Sequence, residues 1–485
     1  MVFSKRFLLS VVIMIFILSC IIIAAKNVYA INLKSFILKP VPIPKNNLQT
    51  KEKIKLGKML FFDDRLSGDG SLSCASCHVP ADGFTTPTRL SQSYPTTMHW
   101  RHTPSVIDSG YLKFLFWDGR ATSLEQQALG PITTPFEMNK HIHYLTAELY
   151  EIPVYRKMFR QVFHANNIIT PKMVAKALAS FERTIVVTKT PFYSYIKGNK
   201  HAMSKKAIAG FKLFIGKASC IRCHYGPVFT DNKFHALGVP PLHLKGKKAK
   251  LVAVTRHYFT YSFAHLKNSN KVKRDMGRYL ITHKKSDIYK FVTPSLIDIG
   301  EIGPYYMHNG SIKGLLNVVK FFNKGGGNIP NKSKLIKPLH LTLKQEYEIV
   351  AFLKALDGPK FNITAPKEPH FINKPKVVST AMTTTNASTA TASMAAGRQL
   401  FASDGCITCH TINGKGGSIG PDLSHIGSQR TIAWIKTQIV TPSAHFASGS
   451  TVTINGKSFM AIMPNHHGMP KSQLNAIAKY LSGLK

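Results

Sequence analysis

Cys74-Ala75-Ser76-Cys77-His78, Cys220-Ile221-Arg222-Cys223-His224 and Cys406-Ile407-Thr408-Cys409-His410 repeat one pattern: two thiols three residues apart, with a histidine directly after the second. A thiol pair of this spacing serves equally as a redox disulfide or as half of a zinc site. The redox use has no need of the histidine, and a zinc centre would want two half-sites facing each other. A histidine in every copy points instead to covalent c-type haem: the thiols add to the vinyl groups and His78, His224 and His410 become proximal iron ligands. Of the 7 cysteines only Cys20 lies outside these motifs, inside an apolar N-terminal run, so none is left for a structural disulfide.

Thiols and histidine must be held by helices, and the same text precedes each motif: Gly57 to Phe61, Gly210 to Phe214 and Gly397 to Phe401 each run from a glycine to a Leu-Phe pair. That period places leucine and phenylalanine on one helical face just before the thiols. Each unit also closes on an apolar-periodic helix, over Met173 to Ile185, Leu343 to Leu356 and Leu474 to Leu484. A leading helix, a haem loop and a closing helix make a cytochrome c unit, so the expected fold is all-α: three haem domains, the first two packed as a pair and the third tethered. The expected boundaries are 31–195, 196–362 and 395–485, with a linker over 363–394 that is rich in Pro and Lys and then almost wholly Ser, Thr, Ala and Asn.

Residues 1–30 read as a signal peptide or anchor: Lys5-Arg6, an uncharged run from Phe7 to Ala25, then Lys26 and a small residue at Ala30. Export to the periplasm follows as an expectation. Lys plus Arg total 64 against 23 acids, a formal +41, which three haems with two propionates each lower by only about six charges. An exported haem protein meets no nucleic acid. The charge suits an acidic redox donor, an anionic membrane surface or an acidic medium.

Over residues 40–358 the chain resembles the dihaem cytochrome c peroxidases and their MauG-type relatives. The resemblance rests on "LGKMLFFDDRLSGDGSLSCASCHVPADGF", "FWDGRATSLEQQALGPITTPFEM", "KLFIGKASCIRCHYGPVFTDNKFHALGVP" and "FVTPSLIDIGEIGPYYMHNGS". The third unit is similar to a monohaem cytochrome c through "MPNHHGMPKSQLNAIAKYL". The resemblance implies a bridging Trp117, with Gln127 and Glu137 lining the pocket where peroxide meets the first haem. A buried carboxylate there can take a proton from one peroxide oxygen and return it to the other; Gln127 can hold the substrate, and Trp117 offers an oxidisable ring.

Axial ligands decide which haem reacts and which carries electrons. Met463 is the candidate for the third, with Met469 as second choice. Some relatives cap the first haem with a histidine at the position of Tyr94 here; the readings are an open site, a cap by His99 or His102, or crowding by Trp100. The second haem's sixth ligand, Met or Tyr in the family, falls on Phe322, which cannot bind iron, and Met307 is the substitute candidate; His308 reads as packing. Calcium, held in the family by an Asn and carbonyls near a Thr-Pro, is a further expectation: His102 stands at the Asn position, and Thr293-Pro294 is kept.

The leading function is therefore an exported peroxidase that reduces hydrogen peroxide, fed by its own cytochrome c unit. A MauG-type enzyme oxidising side chains of a partner protein and a non-catalytic multihaem electron carrier are the alternatives.

Overall fold

The computed structural model describes residues 32–94, 97–164, 168–266, 272, 274–367, 388–417, 420–446, 451–454, 457–460, 463, 466 and 469–484. The N-terminal run and Cys20, with the expectations of cleavage or anchoring, lie outside the described residues. Among the described residues no helix is long and apolar enough to cross a membrane.

Helices dominate, and local chemistry sets where they start. Thr50 accepts from the Lys53 amide to open Lys51–Phe61, and Thr170 caps Pro171–Glu182, whose proline occupies a position that needs no N–H. Ser204 opens Lys205–Ile215, and Thr342 with Gln345 forms a reciprocal capping box at Leu343–Lys354. The closing helices thus begin close to where the apolar period places them. β-structure among the described residues is confined to short two-stranded antiparallel ladders, such as Phe234–Ala236 against Lys290–Val292. The expected helical class holds.

One crossing is built three times. Lys51–Phe61 packs on Pro171–Glu182, Lys205–Ile215 on Leu343–Lys354, and Ser388–Ser403 on Lys471–Ser482. At each crossing a glycine lies against the facing backbone: a Cβ on Gly57 would overlap the Ala177 carbonyl, one on Gly210 the Glu348 carbonyl, and one on Gly397 the Ala476 carbonyl. Four residues on in both helices an aromatic pair locks the crossing. Phe61 meets Phe181 at 5.2 Å, Phe214 meets Phe352 at 5.0 Å, and Phe401 meets Tyr480 at 6.0 Å between ring centroids. Such a pair adds about 0.5–1.5 kcal/mol beyond its burial. The glycine that opens each sequence repeat is therefore a packing residue.

The first two units share one apolar core, whereas the third has its own, from Phe401 and Ile412 to Leu481. Phe36, ahead of the first unit's leading helix, inserts among Phe192 and, from the second unit, Phe211 and Phe229, and ties the two units together. Phe361 returns to Phe84 of the first unit. A helix over Gly246–Tyr258, continuing as a π-turn at Phe259–Phe263, covers Trp100, with Phe259 stacked on it at 5.8 Å.

One boundary moves. The helix Ser388–Ser403 begins inside the stretch read as a featureless linker to residue 394. Alanine-rich sequence propagates a helix well once its C-terminal end is packed. Residues 368–387 of that linker lie outside the described residues.

Replacing Gly210 with alanine should cost about 1–3 kcal/mol through overpacking of a helix crossing, read as a lower thermal midpoint of the dihaem core. Gly397→Ala should lower only the transition of the third unit. An unchanged midpoint in both variants would refute the close-crossing account.

Candidate haem and peroxide site

The three proximal histidines are held alike. His78 Nδ1 donates to the Phe84 carbonyl at 3.1 Å, His224 Nδ1 to the Phe229 carbonyl at 2.8 Å, and His410 Nδ1 to the Pro421 carbonyl at 2.9 Å. This fixes the proton on Nδ1 and leaves the Nε2 lone pair for a metal. Burial pushes all three imidazoles below their ordinary pKa, so they stay neutral, as a ligand must be. Phe84 and Phe229, which supply two of the carbonyls, are both fully buried and sit in the left-handed backbone region at φ 55° and 54°. That conformation is unfavourable for phenylalanine, and the buried rings hold it in place. Sequence reasoning missed this pair; the only signal is a Gly-Phe at 83–84 against a Val-Phe at 228–229, too weak to read as a turn.

The motif thiols are unpaired, and burial raises them all, Cys77 to about 11 and Cys220, Cys406 and Cys409 to about 12. One continuous cavity of ≈ 410 Å³ is lined by Cys74, Cys77 and His78 at one end and by Cys220, Cys223 and His224 at the other, with Trp117 among the residues between. Unpaired thiols, neutral histidines of fixed tautomer and a mainly apolar cavity fit covalent haem. Calcium fits poorly. His102 offers imidazole nitrogens where a hard cation wants oxygen, its Nδ1 already donates to the Arg89 carbonyl, and its own carbonyl takes the Trp117 indole N–H at 2.7 Å.

Trp117, Gln127 and Glu137 all reach this cavity. Ser123 caps the helix Leu124–Thr133, which carries Gln127, and the chain leaves that helix through a turn that brings Glu137 back. Val292 N–H bonds the Trp117 carbonyl, tying the tryptophan to the second half. Glu137, its side chain only 10% exposed, accepts from His99 Nε2 at 3.1 Å, and Arg120 lies 3.9 Å away. Burial alone would raise its pKa. The hydrogen bond and charge of His99, with Arg120 beyond, outweigh it and hold the carboxyl below its ordinary value, so Glu137 is ionised at neutral pH. Behind it Asp118 sits between Arg120 and a buried Arg101, which also binds Asp275; despite its burial, these cations lower Asp118 to about 2.

The residues weighed as caps are engaged elsewhere. Tyr94 is fully buried in the core and bonds the Glu137 carbonyl through its amide. His99 is turned to Glu137, and its Nδ1 lies 3.1 Å from both the carbonyl oxygen and the amide nitrogen of Arg101. His102 has its Nδ1 on Arg89 and its Nε2 3.5 Å from the Thr85 hydroxyl. Trp100 packs on Phe259 and is not among the residues lining the main cavity. In the second half, Phe322 and Met307 both line the cavity, and His308 stacks on Phe291 at 3.7 Å, as a packing residue would. In the third unit Met463 Sδ lies 3.6 Å from Gln438 Nε2, while Met469 is buried in the apolar cluster. His466, held neutral by burial at about 4, is a residue the sequence reading passed over. His99 and Arg120 were likewise not read as partners of Glu137, since they come from separate segments of chain.

Two known families match the chain: Di-haem cytochrome c peroxidase over residues 51–201 and Cytochrome c over 394–485. Cytochrome-c peroxidase IdrP1 of Denitromonas iodatirespirans is 41% identical over 324 residues, covering 66% of this chain and 85% of that protein. Methylamine utilization protein MauG of Methylophilus methylotrophus is 37% identical, covering 68% and 89%. The crystal structure of a MauG-like protein associated with microbial copper homeostasis superposes with a TM-score of 0.57 at 27% identity, over 66% of this chain and 94% of that one. With covalent haem motifs, the paired helical core and these relatives in agreement, the chain belongs to the dihaem cytochrome c peroxidase and MauG family of oxidoreductases, extended by a C-terminal cytochrome c domain.

Proposed function

We propose that this protein is an exported trihaem peroxidase that reduces hydrogen peroxide to water at the first unit. The Glu137–His99 pair, a buried carboxylate kept ionised beside Gln127 and Trp117, is the observation that carries the reading. Haem in the first unit would supply an iron able to bind peroxide and exchange electrons. Glu137 takes the proton from the nearer peroxide oxygen and delivers it to the departing one, which leaves as water. His99 holds the Glu137 carboxylate in place. Arg120 stabilises negative charge that develops as the oxygens part. Two electrons and two protons are consumed for each peroxide. The electrons come through the C-terminal unit, whose tether raises its effective concentration over that of a diffusing donor, and an acidic or small redox protein recharges it, drawn by the +41 surface.

His78, His224, His410 and Met463 are the assigned axial ligands. Engagement of His99 and His102 by other groups supports an open sixth position in the first unit. Phe322 leaves Met307 as the remaining candidate beside the second. The 37% identity to a MauG protein sustains a second reading, oxidation of side chains on a partner protein, which keeps the same Glu137 and Gln127; a partner that loses mass in pairs of hydrogens after incubation with peroxide would favour it.

Intact-mass measurement of the mature protein should show three added haems, and Cys406→Ala with Cys409→Ala should remove one. A wild-type mass carrying two would end the trihaem proposal.

Glu137→Gln should lower peroxide turnover by about 10²–10⁴-fold while leaving haem content unchanged. Because the folded pKa of Glu137 is depressed below its ordinary 4.5, the base form persists through neutral pH and the acid limb of the rate profile begins below that value. His99→Gln removes the interactions that oppose burial, so this limb should move to higher pH. A profile that stays put would exclude His99 from positioning the carboxylate.

A further inference from the structure

The sequence suggests a tether for the C-terminal unit but not where that unit rests. Its motif segment meets the first half of the molecule at one carboxylate. Tyr144 Oη donates to Asp404 Oδ2 at 3.3 Å, and His141 Nε2 stands 3.7 Å from Asp404 Oδ1. The two rings are themselves packed, 4.5 Å between centroids. Asp404 lies at the end of the helix Ser388–Ser403, two residues before Cys406, and its side chain is only 4% exposed. A carboxylate so close to a helix end would be hydrated in a free cytochrome; burying it costs free energy unless partners replace the water.

We infer that the chain's own cytochrome c unit docks on the first half, beside the Glu137 pocket, with Asp404 clamped between His141 and Tyr144. The reading rests on the proposed role of that unit as electron donor and names the face through which it serves.

Charge makes the clamp specific. Residues 395–485 hold two acids, Asp404 and Asp422, in a chain of formal charge +41. Two strongly basic surfaces repel, so one of the third unit's two carboxylates is placed at the contact. The other, Asp422, caps its own loop by accepting from Ser424. Tyr258, which packs on Phe136 next to Glu137, is raised to about 12, by burial first and then by Cys409 and Glu137, so it lies within electrostatic reach of both. The attachment edge of the third unit therefore faces the peroxide side of the molecule. Tyr258 lies between the two.

Hydrogen–deuterium exchange and small-angle X-ray scattering on the full-length holoprotein test this. Asp404→Lys should raise amide exchange several-fold in residues 141–151 and increase the maximum dimension, with exchange in Ile432–Val440 unchanged, which shows that the third unit is still folded. Adding His141→Glu restores an opposite-charge pair and should return both readings toward wild type. Unaltered exchange and dimension in Asp404→Lys, or no recovery in the double variant, would overturn the docking. Peroxide turnover separates this from the functional reading: protection of 141–151 in a wild-type protein that reduces no peroxide defeats the peroxidase and leaves the clamp standing.

Discussion

Each unit of this protein depends on two helices approaching until backbone touches backbone. Gly57, Gly210 and Gly397 permit it, and the aromatic pairs one turn further on hold it. The haem motif follows the leading helix, closely in the second and third units and after a 3-10 turn at Asp64–Leu66 in the first, so the angle of that crossing helps decide where two thiols and a histidine emerge. A side chain at the glycine would push the helices apart and move all three ligating groups together. The core therefore serves the cofactor by fixing the origin of the loop, and the proximal carbonyls of Phe84, Phe229 and Pro421 then fix its histidine.

The distal side is organised by charge. Glu137 is surrounded closely enough to be desolvated, yet His99 and Arg120 keep it ionised. Arg101, Asp118 and Asp275 form a buried lattice behind Arg120, and Arg101 also covers the face of Trp100 at 4.5 Å. Such a lattice contributes little net stability, because desolvation offsets much of its attraction. Breaking it would leave an unpaired buried charge next to the peroxide pocket, and its value is to hold Arg120 in one place.

The large positive charge needs a surface on which a tethered unit can settle without being repelled. A buried carboxylate at Asp404 meets that need at the first half. The same charge excess leaves the remaining basic surface free to attract an acidic partner of the kind proposed.

Much of this was legible from residue types at fixed spacing. The haem motifs are legible as three histidines after three thiol pairs, the helical class from apolar period, and Trp117, Gln127 and Glu137, which line one cavity, from text shared with a known family; these are local signals, or signals of ancestry. The last residues of the expected linker are helical, from Ser388 onward, because Ala-rich sequence becomes helical once its far end packs. What lies between segments could not be read. The crossing glycines looked like part of a repeat, His99 like a possible cap and Trp100 like an obstruction, and Asp404 carried no signal at all. Their roles depend on which distant backbone or charge the fold brings within a few ångströms, and a one-dimensional pattern does not encode that distance. Sequence alone determined which groups carry haem motifs and acid–base chemistry; tertiary packing decided which carboxylate is ionised, which histidine supports it and where the C-terminal unit sits, because desolvation and pairing exist only once the chain has closed around them.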